Sequence, residues 1–192
     1  LGYLQGAVFN LSPFRLCGLI IVILALKSSM TAQPSAISKK LLEKVKADFS
    51  LDWSGIHGVR HWSRVRVNGL KLCEHIDADR TVVELFAFLH DIQRRHDGFD
   101  RMHGNRAADY IDTLAGEYFK LNQHQLQQLK FACSHHSNSG VTSDDPTIQV
   151  CWDADRLDLG RVQIRPHTDY LQTWKARETL FLEQAYLRSM RN

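Results

Sequence analysis

From residue 36 onward the apolar positions recur with a helical period almost throughout. Ile37, Leu41, Leu42 and Val45 mark a first short helix. Ser54 is placed to cap a second, striped by Val59, Trp62, Val65, Gly69, Leu70, Cys73 and Ile76. Thr81 to Glu84 fits a capping box that opens a third helix, Val82 to His90. That segment is apolar almost all round, the pattern of a helix buried on every side. Ala107, Ala108, Ile111, Leu114, Ala115 and Tyr118 stripe a fourth helix. Asn122, with Gln125 three residues on, caps a fifth that carries Leu126, Leu129 and Cys133. Asp145-Pro146 is a good start for a sixth. Trp174, Phe181 and Ala185 suggest a last helix with a thinner apolar face. No stretch alternates convincingly with period two, so the expected fold class is all-α.

The N-terminal stretch breaks this pattern. Leu16–Leu26 is an eleven-residue apolar run, too short to span a bilayer. The residues after it, KSSMTAQPS, offer a poor small-x-small cleavage site, and Met30 reads as the start of the native chain. We therefore expect residues 1–35 to be a poorly structured or artefactual extension and residues 36–192 to form a single domain. The expected compartment is the cytoplasm, with export through the apolar run left open. The 192 residues suit one domain with a full core. A hydrophobic share of 44% and a charged share of 23% exclude a disordered chain and a polytopic membrane protein. The net charge is only +3 and the arginines are scattered, so charge predicts no nucleic-acid partner. The four cysteines form no CxxC pair, and Cys73, Cys133 and Cys151 lie on apolar stripes as small core residues.

One stretch of the third helix asks for chemistry. In FAFLHDIQRRHDG (Phe86–Gly98) an apolar run ends in His90-Asp91, and a carboxylate carried into the interior is costly unless something pairs with it. A neutral imidazole nitrogen beside a hard anionic oxygen suits a divalent transition metal. A His-Asp pair alone is more often a cap or a local ion pair, so the metal needs ligands from other helices. His61 borders the stripe of the second helix, one turn after His57. In the sixth, Ile148, Cys151, Trp152, Asp155 and Leu159 share one stripe. Asp155 is therefore on the core face, while Asp153 lies about 160° around the helix from it.

The order of His61 in HWSRV, His90-Asp91 in FLHD and Asp155 in DADRLD resembles the HD-domain superfamily of metal-dependent phosphohydrolases. The resemblance runs from about Ile56 to Arg161 and implies a helical bundle, in agreement with the periodicity. It implies that His61, His90, Asp91 and Asp155 bind a divalent ion (Mn, Fe, Co, Mg or Zn). It also offers His103, in MHGNRAA, and His136, in ACSHHSNSG, as ligands of a second ion, with Asp91 bridging the two. His136 fits that segment better than its neighbour His135. His57 and Arg94 join Asp91 as candidate catalytic residues. Arg95, Arg101 and Arg106 are candidates for binding substrate, because guanidinium forks match phosphate oxygens. Arg156 reads instead as a salt-bridge anchor for the sixth helix. His75, His124 and His167 read as surface residues, and His96 as a solvated loop residue within reach of substrate.

The function this implies is hydrolysis of a small phosphorylated substrate, a phosphoester or nucleotide, by metal-activated water. Two rivals share the fold: a di-iron oxygenase, and a nucleotide-binding module without chemistry.

Overall fold

Helix starts are fixed by side chains that take up the free N–H groups of the first turn. The computed structural model describes residues 34–138 and 140–191, and the helices fall in one compact unit, Ser35–Asn192. The apolar run Leu16–Leu26, Met30 and Cys17 lie outside the described residues. Among the described residues there are eight α-helices: α1 (Lys39–Asp48), α2 (Val59–Leu72), α3 (Arg80–Leu89), α4 (His103–Leu114), α5 (Gln123–His135), α6 (Pro146–Arg156), α7 (Trp174–Arg177) and α8 (Thr179–Ser189). Two short 3-10 turns, Leu159–Val162 and Thr168–Tyr170, lie between α6 and α7. No strand occurs among these residues, only one isolated bridge between Ala115 and Phe119. The fold is all-α. None of these helices is long and apolar enough to cross a membrane.

Every residue of α3 from Val82 to Leu89 is buried, which places this helix at the centre. It packs against α2, α5 and α6, while α4 lies on α5 and α8 covers the turn after α6. Trp62, Phe86 and Trp152 are the largest fully buried rings or close to it. Trp62 meets Phe49, Trp53 and Phe88 edge-on, and Trp152 donates from Nε1 to the Ala132 carbonyl at 2.9 Å. Gly69 is where α2 and α3 touch: a Cβ there would lie 2.4 Å from Val83 Cγ1.

Two caps differ from the sequence reading. Ser54 does not start α2; its N–H is turned back onto Asp52 Oδ1 at 2.9 Å. The chain makes another turn, and α2 begins after Gly58, whose position against the Trp53 carbonyl leaves no room for a Cβ. Thr81 does not cap α3 either. Asp79 reaches Thr81 N and Val82 N first, which starts the helix at Arg80 and frees Glu84 from box duty. Glu84 is buried instead against Arg66, Ser35 and the Ala36 N–H. The Asn122–Gln125 box and the Asp145-Pro146 start are both present. The last helix is broken at Glu178, whose backbone is extended, so Trp174 sits on a separate short turn and stays exposed.

Candidate metal centre

Helix ends deliver the polar cluster. His90 is the C-cap of α3 and Asp91 follows it, so the buried central helix drives both into the interior. His61 stands in the first turn of α2, His103 opens α4, His136 caps the end of α5, and Asp155 lies in the last turn of α6. His61 and His90 are wholly buried, Asp91 nearly so, and the Asp155 side chain keeps 16% of its surface toward solvent.

The hydrogen bonds on the far nitrogens assign the tautomers. His90 Nδ1 donates to the Phe86 carbonyl at 3.1 Å, His136 Nδ1 to the Cys133 carbonyl at 2.7 Å, and His103 Nδ1 to the Asp100 carbonyl. His61 Nδ1 donates to Asp158 Oδ2 at 2.7 Å. In neutral rings all four Nε2 atoms then carry lone pairs, and they face inward in two pairs. His61 and His90 stand 3.1 Å apart at Nε2, and His103 and His136 stand 2.8 Å apart. Lone pair facing lone pair is unfavourable unless a cation lies between.

Asp91 stands between the pairs with one oxygen toward each. Its Oδ2 is 3.7 Å from His61 Nε2 and 3.6 Å from His90 Nε2, and its Oδ1 is 3.1 Å from His103 Nε2 and 3.5 Å from His136 Nε2. Asp155 Oδ1 completes the first set, 3.4 Å from His61 and 3.8 Å from His90. That oxygen is buried and has no hydrogen-bond partner among the described residues. Metal–ligand bonds of about 2.0–2.2 Å put neighbouring ligand atoms about 3–3.5 Å apart, so these spacings suit a shared ion. His61, His90 and Asp155 could hold one metal ion, and His90, Asp91 and His136 another. The donor mixture of imidazole nitrogen and carboxylate oxygen fits a divalent transition metal.

The local electrostatics point the same way. Burial lowers His61 far below its usual range, helped by Arg161, and lowers His90 to about 4, so both are neutral at pH 7 and able to offer a lone pair to a metal. Burial pushes Asp91 upward, but His90 and the bonds from His103, His136 and His57 outweigh it and hold it well below the carboxylate range. Asp155 is also held low, against burial, by His90, His61 and Arg161. Burial lowers His136, yet Asp91 more than reverses this, so the site favours positive charge beside that carboxylate.

His57 Nδ1 lies 3.0 Å from Asp91 Oδ2, and its Nε2 lies 3.3 Å from the Asp97 carbonyl. Arg94 donates from Nε to Asp91 Oδ1 at 2.8 Å and from Nη1 to the Gly98 carbonyl. Both residues line a cleft of about 300 Å³ with Asp91, His136 and Asp155. The other arginines there are Arg156 and Arg161. The substrate arginines read from the sequence do not line this cleft. Arg95 is exposed and contributes only its backbone N–H, to Asp100. Arg101 lines a separate hollow beyond His103. Arg106 clamps the loop, holding the Gln93 carbonyl and Asp100. Arg156 makes no salt bridge among the described residues; it donates to the Tyr170 carbonyl at 2.8 Å. His135 turns away from the centre and packs on the Phe131 ring.

Two carboxylates carry more structure than the helical period showed. Asp153 is fully buried on the other side of α6, where it accepts from Gln172 N, Thr173 N and Thr173 Oγ1. The segment after the 3-10 turns covers that face, so being off the apolar stripe did not mean exposure. Asp158 escaped the sequence reading altogether. It is buried, orients His61, and is itself gripped by Arg64 at 2.6 and 3.2 Å. Burial raises it to about 6 despite that pairing. The available signal was its spacing of three from Asp155, on the turn that follows α6. Carboxylates that orient ligating histidines change metal affinity roughly 10- to 100-fold when removed. We expect that loss for Asp158→Asn with the helical content unchanged, read by competition with a fluorescent chelator.

No family model and no curated protein matches the sequence. The structure is similar to a crystal structure described as a predicted HD superfamily hydrolase from an uncultured Thermotogales bacterium. The TM-score is 0.61 at 23% sequence identity, and the match covers 83% of this chain and 90% of that one. The chain thus shares the helical fold of that structure, with the histidine and aspartate cluster at its own centre.

Proposed function

We propose that this protein is a metal-dependent phosphohydrolase that cleaves a small phosphoester or nucleotide. The observation that carries the reading is the placement of Asp91, whose two oxygens face two sets of inward-pointing imidazoles beneath an arginine-lined cleft. His61, His90, Asp91 and Asp155 would hold one ion, and Asp91, His103 and His136 a second. Such an ion supplies hydroxide at neutral pH and polarises a phosphoryl oxygen.

The chain's own residues supply the rest. Arg94 and Arg161 are tethered at two of their nitrogens, and each keeps Nη2 without a partner among the described residues. Arg156 is tethered through Nη1 alone. Guanidinium groups fixed in this way meet charge growing on the phosphoryl oxygens without reorganising. As water oxygen bonds to phosphorus and the ester bond breaks, the leaving oxygen needs a proton. His57 is the imidazole lining the cleft that is best placed to give it. The neighbour's description as a hydrolase supports this reading.

The test is to strip the purified protein with chelator, reload it with Mn, Co, Fe, Mg or Zn, and screen phosphate release from phosphomonoesters and nucleotides. The expected result is turnover that returns with metal and is absent from Asp155→Ala. Metal-replete protein with no turnover on the whole panel, or oxygen consumption in the iron form, would contradict the proposal.

A further inference from the structure

A second basic surface lies on α2, outside the cleft. Two hollows of about 310 and 480 Å³ share Arg60 and Arg64. The larger is a trough between α2 and the end of α8, lined by Arg60, Ser63 and Arg64 on one side and Arg188 and Arg191 on the other. The smaller continues it toward Ser54, Gly160 and Gln163 and reaches Arg161, which also lines the cleft. No Asp or Glu lines either hollow.

Four guanidinium groups around one trough repel one another unless carboxylates offset them. Among the described residues only Arg64 has such a partner, Asp158. The side chains of Arg60 and Arg191 make no hydrogen bond or ion pair among the described residues and are exposed. Arg188 donates from Nη2 to Asn68 Oδ1 at 2.9 Å, while its Nε is buried with no partner. A net charge of +3 over the whole chain makes this a local concentration of charge and not a general property of the surface. The Ser63 hydroxyl adds a neutral donor at the wall.

We propose that the α2–α8 trough binds a small oligophosphate anion, free or as the phosphate chain of a nucleotide, separately from the metal centre. Guanidinium forks match phosphate oxygens in pairs, and a chain of phosphates spans several forks where a single carboxylate cannot. The trough is within the size range that encloses small ligands. The bound anion also has a route to the metal centre. Arg64 grips Asp158, and Asp158 orients His61. An anion that draws on Arg64 loosens that grip, so anion and metal change each other's affinity by the same factor.

The experiment is isothermal titration of inorganic triphosphate into the full chain, freed of metal beforehand by chelation and desalting, at near-physiological salt. The expected result is saturable binding that weakens about tenfold or more in Arg60→Gln/Arg191→Gln, whose unfolding temperature and metal content remain those of the wild type. Titration of a nucleoside triphosphate separates the sources: equal affinity assigns the site to the phosphate chain, and tighter binding adds the base. Absence of saturable binding, or binding the double variant leaves unchanged, would overturn the site. A single-stranded oligonucleotide that binds more tightly than triphosphate, with steep salt dependence, would replace the small ligand with a nucleic acid and overturn it too. Manganese affinity that saturating triphosphate leaves unaltered, with free metal buffered, would overturn the coupling.

Discussion

Replacing Asp91 with asparagine leaves the helical fold in place and empties the centre of metal. Asparagine keeps the shape of the side chain and can still accept from Arg94 Nε, now 2.8 Å from Oδ1. It loses the negative charge and presents only one oxygen, so it cannot face both imidazole sets. The His103–His136 pair then has no carboxylate facing it, and the His61–His90 pair is left with Asp155 alone. Because Asp91 lies between both sets, both ions are lost together, and phosphate release falls with them. An ion's stabilisation of the transition state amounts to several kcal/mol, and about 4 kcal/mol corresponds to a loss of roughly 10³-fold in rate. Metal analysis by mass spectrometry, circular dichroism and initial rates make the check. Wild-type metal content in Asp91→Asn would remove Asp91 from the centre.

Gly104→Ala is expected to damage one half of the centre and spare the other. A Cβ at residue 104 would lie 2.4 Å from the Cys133 carbonyl oxygen and 3.2 Å from that of Ser134. These are backbone atoms at the end of α5 and cannot rotate away. The start of α4 must therefore move off α5, carrying His103 away from His136 and from Asp91 Oδ1. Overpacking of this kind costs about 1–3 kcal/mol of stability. His61 and Asp155 belong to α2 and α6 and His90 caps the end of α3, none of which carries the substitution. The expected result is a lower unfolding temperature and half the wild-type metal content, the remaining ion being retained. Undiminished metal content in a folded variant would show that the α4–α5 contact does not set the second group. Asn105→Ala, exposed on the same helix, serves as the control and should change neither quantity.

The sequence reached the all-α fold because nearly every helix has a buried stripe of period 3.6. It marked Asp155 because an acid on such a stripe must find a partner, and Asp91 because it ends an apolar helix; the full set with His61 and His90 came from the resemblance to the HD-domain superfamily. The fold brings those four together, and His103 and His136 with them. Where local rules competed, sequence alone could not choose. Asp79 and Thr81 both qualify as caps for α3, and the earlier, ionised side chain takes the N–H groups. Periodicity describes one face of a helix at a time. It could not show that α6 is covered on two sides, and so it left Asp153 without a role. Asp158 lies just beyond α6, where no stripe applies, and only tertiary contact with Arg64 and His61 reveals its task. The arginines show the same limit. Arg95, Arg101 and Arg106 are near Asp91 in sequence, whereas Arg161 reaches the cleft from a turn seventy positions further on.

The most direct test of the central claim is an anomalous-scattering map from crystals of the full chain grown with manganese. The account predicts two peaks flanking the Asp91 carboxylate. One is enclosed by His61, His90 and Asp155, the other by His103 and His136. Manganese bound elsewhere, with Asp91 still held only by Arg94 and the surrounding imidazoles, would contradict it.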